Sequence, residues 1–369
     1  MEGYRVLIGN LQDATWYEEI PVTRINFSKV LNGTGKCDIS TSPNPERSAF
    51  KDKISSDLLK PGRSTIYIEK DGTIVGAYIL WEVFVIYPSN RLRLIGEGFW
   101  SYFRKRIISE DALYTSIDQL LIGKNLINGA LTAMGQLGKI VGLSVTGTLI
   151  TSGILVDRNY YGYQRRIVAE AVEDLANKED GFDFDITSTW IAGSNPPTIA
   201  NEYQQYYPQK GTVGDIIFDL DANLLRISRQ EKAQKVVNRM FMIGGGTAED
   251  TVLTTSYNMG SMSAENYPLL DHKLVKKDIT EVSSLVTYGM RELAKRSQLY
   301  EILTVELDPQ SVETRLGAFT TGDIVRVKAD RGFISINKYY RIQTYDVWVN
   351  ESSNEERISV SLSTVEATI

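Results

Sequence analysis

The side chains best suited to acid–base or metal chemistry in this 369-residue chain are two aspartate pairs, Asp183 with Asp185 and Asp219 with Asp221. Successive side chains on a β-strand alternate between faces, so each pair would share one face. Two carboxylates so placed could hold Ca²⁺ or serve as glycosidase acids, but neither segment has the ligand spacing of an EF-hand loop. Charged strand residues normally face water, and a solvated strand face is the expectation for both pairs. His272 is the single histidine, in Asp271-His272-Lys273. It has no second imidazole for a zinc site and no Ser–His–Asp arrangement nearby, and it reads as a surface residue.

The single cysteine, Cys37, excludes an intramolecular disulfide framework and a Cys-rich zinc site. It reads as a small apolar residue in a strand of a protein that folds in a reducing cytosol. Gly244-Gly245-Gly246-Thr247 follows a predicted strand, which invites a phosphate-loop reading. It lacks the Lys-Ser/Thr end of a P-loop, and the acidic Ala248-Glu249-Asp250 comes next, so a flexible turn is expected. Tyr160, Tyr161, Tyr163, Tyr203, Tyr206 and Tyr207 could stack on sugars or bases. Few basic residues are interleaved with them, which favours core or interface packing. No catalytic residue, cofactor-binding residue or metal ligand set is predicted.

The elements that would position these residues are mostly strands. Tyr4 to Ile8, Trp16 to Ile20, Arg24 to Val30 and Lys36 to Ile39 read as strands divided by Asn10, Pro21 and Asn32-Gly33-Thr34-Gly35. The prolines Pro43 and Pro45 place Ser40 to Arg47 in a loop across an open barrel end, because proline lacks the amide donor. Ile66 to Lys70, Asp71-Gly72 and a long aromatic and β-branched run then predict a hairpin with a primed turn. Ser109, with Glu110 and Asp111 in the first turn, predicts a helix running to about Ile127. Tyr163 to Ala176 predicts a second helix, and Asp278 with Glu281 forms a capping-box-like start to a third. Asp215 to Leu220, Asn223 to Ser228 and Lys235 to Ile243 are candidate strands. Ile302 to Leu307, Asp323 to Lys328, Phe333 to Ile336, Tyr339 to Val349 and Arg357 to Leu362 give a second strand-rich section.

Composition narrows the function. A hydrophobic content of 42% is enough to bury real cores, and a formal charge of −6 argues against a protein that works by neutralising phosphates. The N-terminus is no signal peptide, because acidic Glu2 precedes a strand-sized apolar run. Between Asn125 and Val156 the single charge is Lys139, yet six glycines interrupt any apolar run, so a buried helix followed by glycine-punctuated strands is predicted rather than a membrane span.

The order of segments resembles the tail-hub or tail-associated proteins of long-tailed bacteriophages. The residues that carry the resemblance are Leu58-Leu59-Lys60-Pro61-Gly62-Arg63, Ile66 to Lys70, Asp71-Gly72 and Ile74 to Trp81. Tyr163 to Leu175 leading into Gly181-Phe182-Asp183-Phe184-Asp185, and Thr321-Gly322-Asp323-Ile324-Val325-Arg326-Val327, complete it. The resemblance implies a mainly β fold with an α+β middle, in which two small antiparallel β-barrels of the tail-hub type are joined by helical segments. On that reading residues 1–108 form the first barrel and 109–180 a helix and strand connector. Residues 181–298 form a mixed middle, and 299–369 the second barrel, with strands from 181–245 available to complete it.

The same resemblance implies a structural virion protein rather than an enzyme. Three copies would form a hub at the tail tip that closes the tail tube and provides the channel for DNA ejection. The implied partners are the distal tail protein, the tape measure protein and other tail-tip proteins, with assembly in the host cytoplasm and no cofactor. Genomic DNA would pass without specific binding. The alternatives are a glycoside hydrolase using Asp183 and Asp185, or a carbohydrate-binding module using the tyrosines, acting on the host cell surface.

Overall fold

A computed structural model describes residues 3–12, 16–41, 57–88, 91–132, 143–145, 150–178, 180–194, 198–246, 251–258, 267–277, 279–297, 300–350 and 355–365. The chain divides into two compact units, Met1–Ile227 with Thr304–Ile369, and Ser228–Leu303.

The first unit begins with seven strands: β1 (Tyr4–Asn10), β2 (Trp16–Ile20), β3 (Arg24–Val30), β4 (Lys36–Thr41), β5 (Ser64–Lys70), β6 (Thr73–Ile86) and β7 (Arg91–Gly98). They lie in the order β3-β4-β7-β6-β5-β1-β2, every contact antiparallel. The β5–β6 turn has φ 49° at Asp71 and 82° at Gly72, the positive values that a primed turn requires. Alternate residues point inward, and Val6, Ile8, Ile25, Phe27, Ile39 and Ile66 are buried. Each such side chain contributes roughly 1.5–3 kcal/mol.

The short helix α1 (Trp100–Phe103) leads to β8 (Ala112–Asp118) and α2 (Gln119–Thr132). Here the structure corrects the sequence reading. The helix expected from Ser109 starts ten residues later, because Ala112–Asp118 pairs antiparallel with β10 (Leu155–Tyr160) and buries Tyr160. The cap belongs to Asp118, whose Oδ1 accepts the Leu120 amide at 2.9 Å. The expected Tyr163–Ala176 helix is likewise divided. A 3₁₀ turn, Gly162–Gln164, ends at Arg165 in the left-handed region, and α3 (Val168–Ala176) follows.

β9 (Leu143–Val145), β11 (Asp183–Trp190) and β12 (Ile199–Tyr206) form a three-stranded sheet in the order β11-β12-β9. Trp100, Phe103, Leu120, Ile122, Val172 and Leu175 join Phe182, Phe184 and Tyr203 in one core. The Trp100 and Tyr203 rings stack at 6.0 Å between centroids. No helix of the described residues is long and apolar enough to cross a membrane.

β13 (Val213–Asp219) belongs to the first unit, and β14 (Leu224–Lys232) runs across the boundary at Ser228 into the second unit. That unit is a sheet of β15 (Arg239–Ile243) between β16 (Leu253–Tyr257) and β17 (Asp271–Val275), with α4 (Val282–Arg296). Met240, Met242, Leu285 and Leu293 form its core. Gly289 permits the close approach, since a Cβ there would lie 1.5 Å from the Met242 sulfur. The α4 N-cap is Glu281, which makes no side-chain capping bond, and Asp278 lies outside the described residues.

β18 (Tyr300–Leu307), β19 (Ile324–Arg331), β20 (Ile334–Asn350) and β21 (Glu355–Thr364) complete the chain. Phe333 to Ile336 and Tyr339 to Val349, read as two strands, become the single 17-residue β20 apart from Phe333. Val325, Val327, Ile342, Val347, Ile358 and Val360 fill this section's core. The chain is mainly β, as expected, but no sheet closes on itself among the described residues. Instead β20 pairs antiparallel with β3 from Thr344↔Val30 to Asn350↔Arg24, joining both strand-rich sections in one 13-stranded sheet. Such an edge-to-edge union satisfies the β3 and β20 backbone groups that separate barrels would satisfy by closure.

Candidate functional site

Asp183 and Asp185 meet cations from three distant parts of the chain. Both sit on β11, where Phe184 points into the aromatic core and forces its neighbours to the opposite face. That face is covered rather than solvated. Asp183 Oδ1 accepts the Asn32 side-chain amide at 2.7 Å, and Asn32 Oδ1 in turn accepts the Phe184 amide at 2.7 Å. Asp183 Oδ2 accepts the Lys210 backbone amide at 2.6 Å and pairs with the Arg341 guanidinium. Arg341 also donates to the carbonyls of Lys210 at 2.9 Å and Gly322 at 3.2 Å.

Asp185 Oδ2 receives two ammonium groups, Lys210 Nζ at 2.5 Å and Lys29 Nζ at 2.9 Å. Burial pushes this carboxyl up, but the Lys29 and Lys210 charges outweigh it and hold the group below the usual aspartate range. Lys210 is held below its ordinary value by burial, with Lys29 adding to the effect, and its ammonium also lies over the Tyr206 ring at 5.7 Å. Lys29 is raised: burial alone would lower it, and the Asp185 charge prevails. Glycines at Gly211 and Gly322, both at positive φ, allow the two backbones that flank Arg341 to approach; a Cβ on Gly211 would lie 2.3 Å from the Gly322 carbonyl oxygen.

This constellation holds strands together and has no free acid or base. A glycosidase needs one carboxylic acid with a raised pKa and an open approach for its sugar. Asp185 is shifted the other way, and both carboxylates are occupied by cations. A small open cleft lies alongside, lined by Lys29, Gly76, Tyr78, Trp100, Phe184 and Asp185 among others. Its two charged lining residues are that same Lys29–Asp185 pair.

The remaining sequence candidates fall elsewhere. Asp219 Oδ1 accepts the Asp221 amide at 3.0 Å in the turn after β13, and Asp221 forms an exposed pair with Arg331 at 2.5 Å. His272 lies on β17 with its ring nitrogen 3.3 Å from Arg296. The amides of Gly244 and Gly245 are engaged by the Val252 and Ile279 carbonyls, each at 2.7 Å, so neither remains to cradle a phosphate. Thr247 to Asp250 lie outside the described residues. Cys37 is buried, and burial pushes its thiol up. Among the described residues no three potential metal ligands come together. Tyr160 and Tyr203 are core residues, whereas Tyr161 and Tyr163 stack on each other at 5.6 Å and are exposed.

Sequence reasoning missed Lys29, Asn32, Lys210 and Arg341. Their sequence separation from Asp183 and Asp185 leaves no local signal, and the two glycines beside Arg341 are the nearest to one.

The chain as a whole has the fold of bacteriophage tail proteins. It is similar to a tail protein from Neisseria meningitidis at 12% identity, with a TM-score of 0.62 over 98% of this chain and 97% of that one. It is similar to the 43 kDa tail protein of prophage MuSo2 from Shewanella oneidensis at 10% identity, with a TM-score of 0.64 over 97% and 98%. An Escherichia coli component of the type VI secretion system, itself structurally similar to the T4 tail proteins gp27 and gp5, matches at 9% identity and a TM-score of 0.50 over 94% and 74%. No family profile matches the chain. No curated protein sequence matches it either.

Proposed function

We propose that this chain is a structural virion protein of a long-tailed phage, a homotrimeric hub at the tail tip that closes the tail tube and opens as the channel for DNA. The observation that carries the reading is the end-to-end match to tail proteins of the same length despite identity near one residue in ten. In this reading the two strand-rich sections of each copy, joined at β3 and β20, stand side by side, so three copies present six β layers around one axis. The buried node at Asp183 and Asp185 pins the middle of the chain to both sections, giving the rigidity that a ring subunit needs. The distal tail protein and the tape measure protein are the neighbours, and the protein is assembled in the host cytoplasm before joining the virion.

DNA passes without specific contacts. In this reading acidic residues on the strand-rich sections line the path, where like charge keeps the polyanion from adhering. The test is the mass of the purified chain by light scattering, with electron microscopy of the particles and an assay on host cell walls. A closed trimer without wall-degrading activity is expected. A monomer that degrades walls, and loses that activity when Asp183 and Asp185 are both replaced by asparagine, would promote the hydrolase instead.

A further inference from the structure

Tyr161 precedes the 3₁₀ turn Gly162–Gln164, and Tyr163 lies within it. Their rings stack at 5.6 Å between centroids with 24° between planes, and both are exposed, Tyr163 at 78%. With one face against Tyr161, a ring so exposed keeps its other face open to solvent. The buried Tyr160, one residue earlier, anchors this shelf to the core.

The turn that displays the rings is fixed on every side. β8 and β10 pair through Ala112↔Tyr160 immediately before it. The Gln164 amide donates to the Tyr161 carbonyl at 2.9 Å, the Gly162 amide to Asp111 Oδ1 at 2.7 Å, and the Arg165 guanidinium to the Ser109 carbonyl at 3.2 Å. Beyond it Ile107 bridges Ile167, and the Ile108 amide donates to the Arg166 carbonyl at 2.9 Å. A Cβ on Gly162 would lie 2.6 Å from the Ser109 carbonyl oxygen, so the turn rests directly on the chain before β8. Arg165 takes φ 48°, a left-handed conformation that a residue other than glycine adopts at a cost. Such strain persists where the surroundings enforce it, and it gathers at binding sites. Rings held in advance lose little freedom when a ligand arrives.

The polar groups around the rings carry both signs. Gln164 and Arg165 of the turn are exposed, and so are Glu110 and Asp111 beside it. Arg166, the next cation, is paired with Asp174 and lies over the Tyr160 ring at 5.7 Å. A polyanion would meet Glu110 and Asp111, and a polycation would meet Arg165, so neither gains a clear attraction. Hydroxyl groups suit all of these side chains, because a hydroxyl donates to a carboxylate and accepts from a guanidinium or an amide. The face of a tyrosine ring is the negative side of its quadrupole and attracts the weakly positive C–H face of a pyranose. An apolar small molecule would need an enclosed pocket, which an open shelf does not provide.

We infer that Tyr161 and Tyr163 form a binding shelf for a neutral saccharide chain, with Tyr163 stacked on a pyranose ring and Gln164, Arg165 and Glu110 bonded to its hydroxyls. This is a second function, separate from the hub reading and independent of the oligomeric state.

The test is calorimetric titration of the full chain with maltohexaose, cellohexaose, chitohexaose and mannohexaose, and in parallel with oligothymidylate and decaproline, which also stack on aromatic surfaces. At least one hexasaccharide should bind with a Kd below about 1 mM. Tyr163→Ala should weaken that binding about tenfold or more, whereas Tyr163→Phe, which keeps the ring, should stay within about twofold of wild type. Both substitutions are at an exposed side chain, and unchanged circular dichroism is expected of each. No binding of any of the four saccharides, or binding that Tyr163→Ala leaves unchanged, would overturn the inference. Tyr163-dependent binding of oligothymidylate or decaproline without a saccharide would also overturn it, giving the shelf to bases or to a proline-rich peptide. Loss of the oligomer in Tyr163→Ala, read by sedimentation, would overturn it by making the shelf a contact between copies. The hub reading is decided apart from these outcomes, by the mass of the wild-type chain.

Discussion

Asp183 and Asp185 on β11 and Asp219 and Asp221 at the end of β13 share spacing and chemistry but not surroundings. Asp219 and Asp221 stay in a turn, one bonded to the other's amide and the second to the exposed Arg331. Asp183 and Asp185 are buried against Lys29, Lys210 and Arg341. An exposed ion pair gains little over its hydrated charges, whereas a buried charge deprived of its partner is strongly unfavourable. An Asp-x-Asp pair is therefore a latch or an ornament according to what the distant chain brings to it.

Replacing Asp183 with alanine should have the largest effect, because Arg341 and the Lys210 amide lose a shared acceptor inside the fold. A loss of about 3–5 kcal/mol is expected from urea unfolding. A loss near zero would show that water reaches this face and would abolish the contrast with Asp221.

Asp185→Asn should rank second, at about 1.5–3 kcal/mol, since two ammonium groups keep hydrogen bonds but lose their counter-charge. Its signature is in pH. The folded carboxyl titrates below the unfolded one, so its stabilisation is complete above the unfolded value near 3.8 and disappears as pH falls through the folded value. Wild-type stability should therefore fall more steeply than that of the variant as pH drops below about 4. Parallel acid profiles would mean that the lysines do not depress Asp185.

Gly72→Val tests a purely local feature against these long-range ones. A branched residue at φ 82° should cost about 1–2 kcal/mol, read as a lower melting temperature. Nothing lies within 4 Å of a Cβ there, so backbone conformation alone sets the effect. Smallest of all, Asp221→Asn should change stability by less than about 1 kcal/mol and leave the acid profile unaltered. A larger change would place the Asp221–Arg331 pair among the contacts that hold the fold.

Much of the strand pattern was legible in the residues. β2 and β3 begin and end where alternation and turn residues place them, and Asp71-Gly72 makes the primed turn that its composition demands. The reading failed where a helical stripe and a strand compete for the same residues. Leu113 and Ile117 fit helical spacing, yet Ala112–Asp118 is extended because β10 supplies a partner about 40 residues away that no local window contains.

The sequence by itself determined the β class, the hairpin turns, the absence of a histidine or cysteine constellation and the segment order that resembles tail proteins. These depend on side-chain alternation, on φ preferences and on which residue types are present, all local properties of the chain. Only the tertiary structure decided that β3 pairs with β20, that Lys29, Lys210 and Arg341 converge on Asp183 and Asp185, and that Phe84, Val85, Tyr87 and Tyr163 remain uncovered. Each of these depends on contacts between residues far apart in the chain, where the loop-closure entropy is recovered only by the packing of the finished fold.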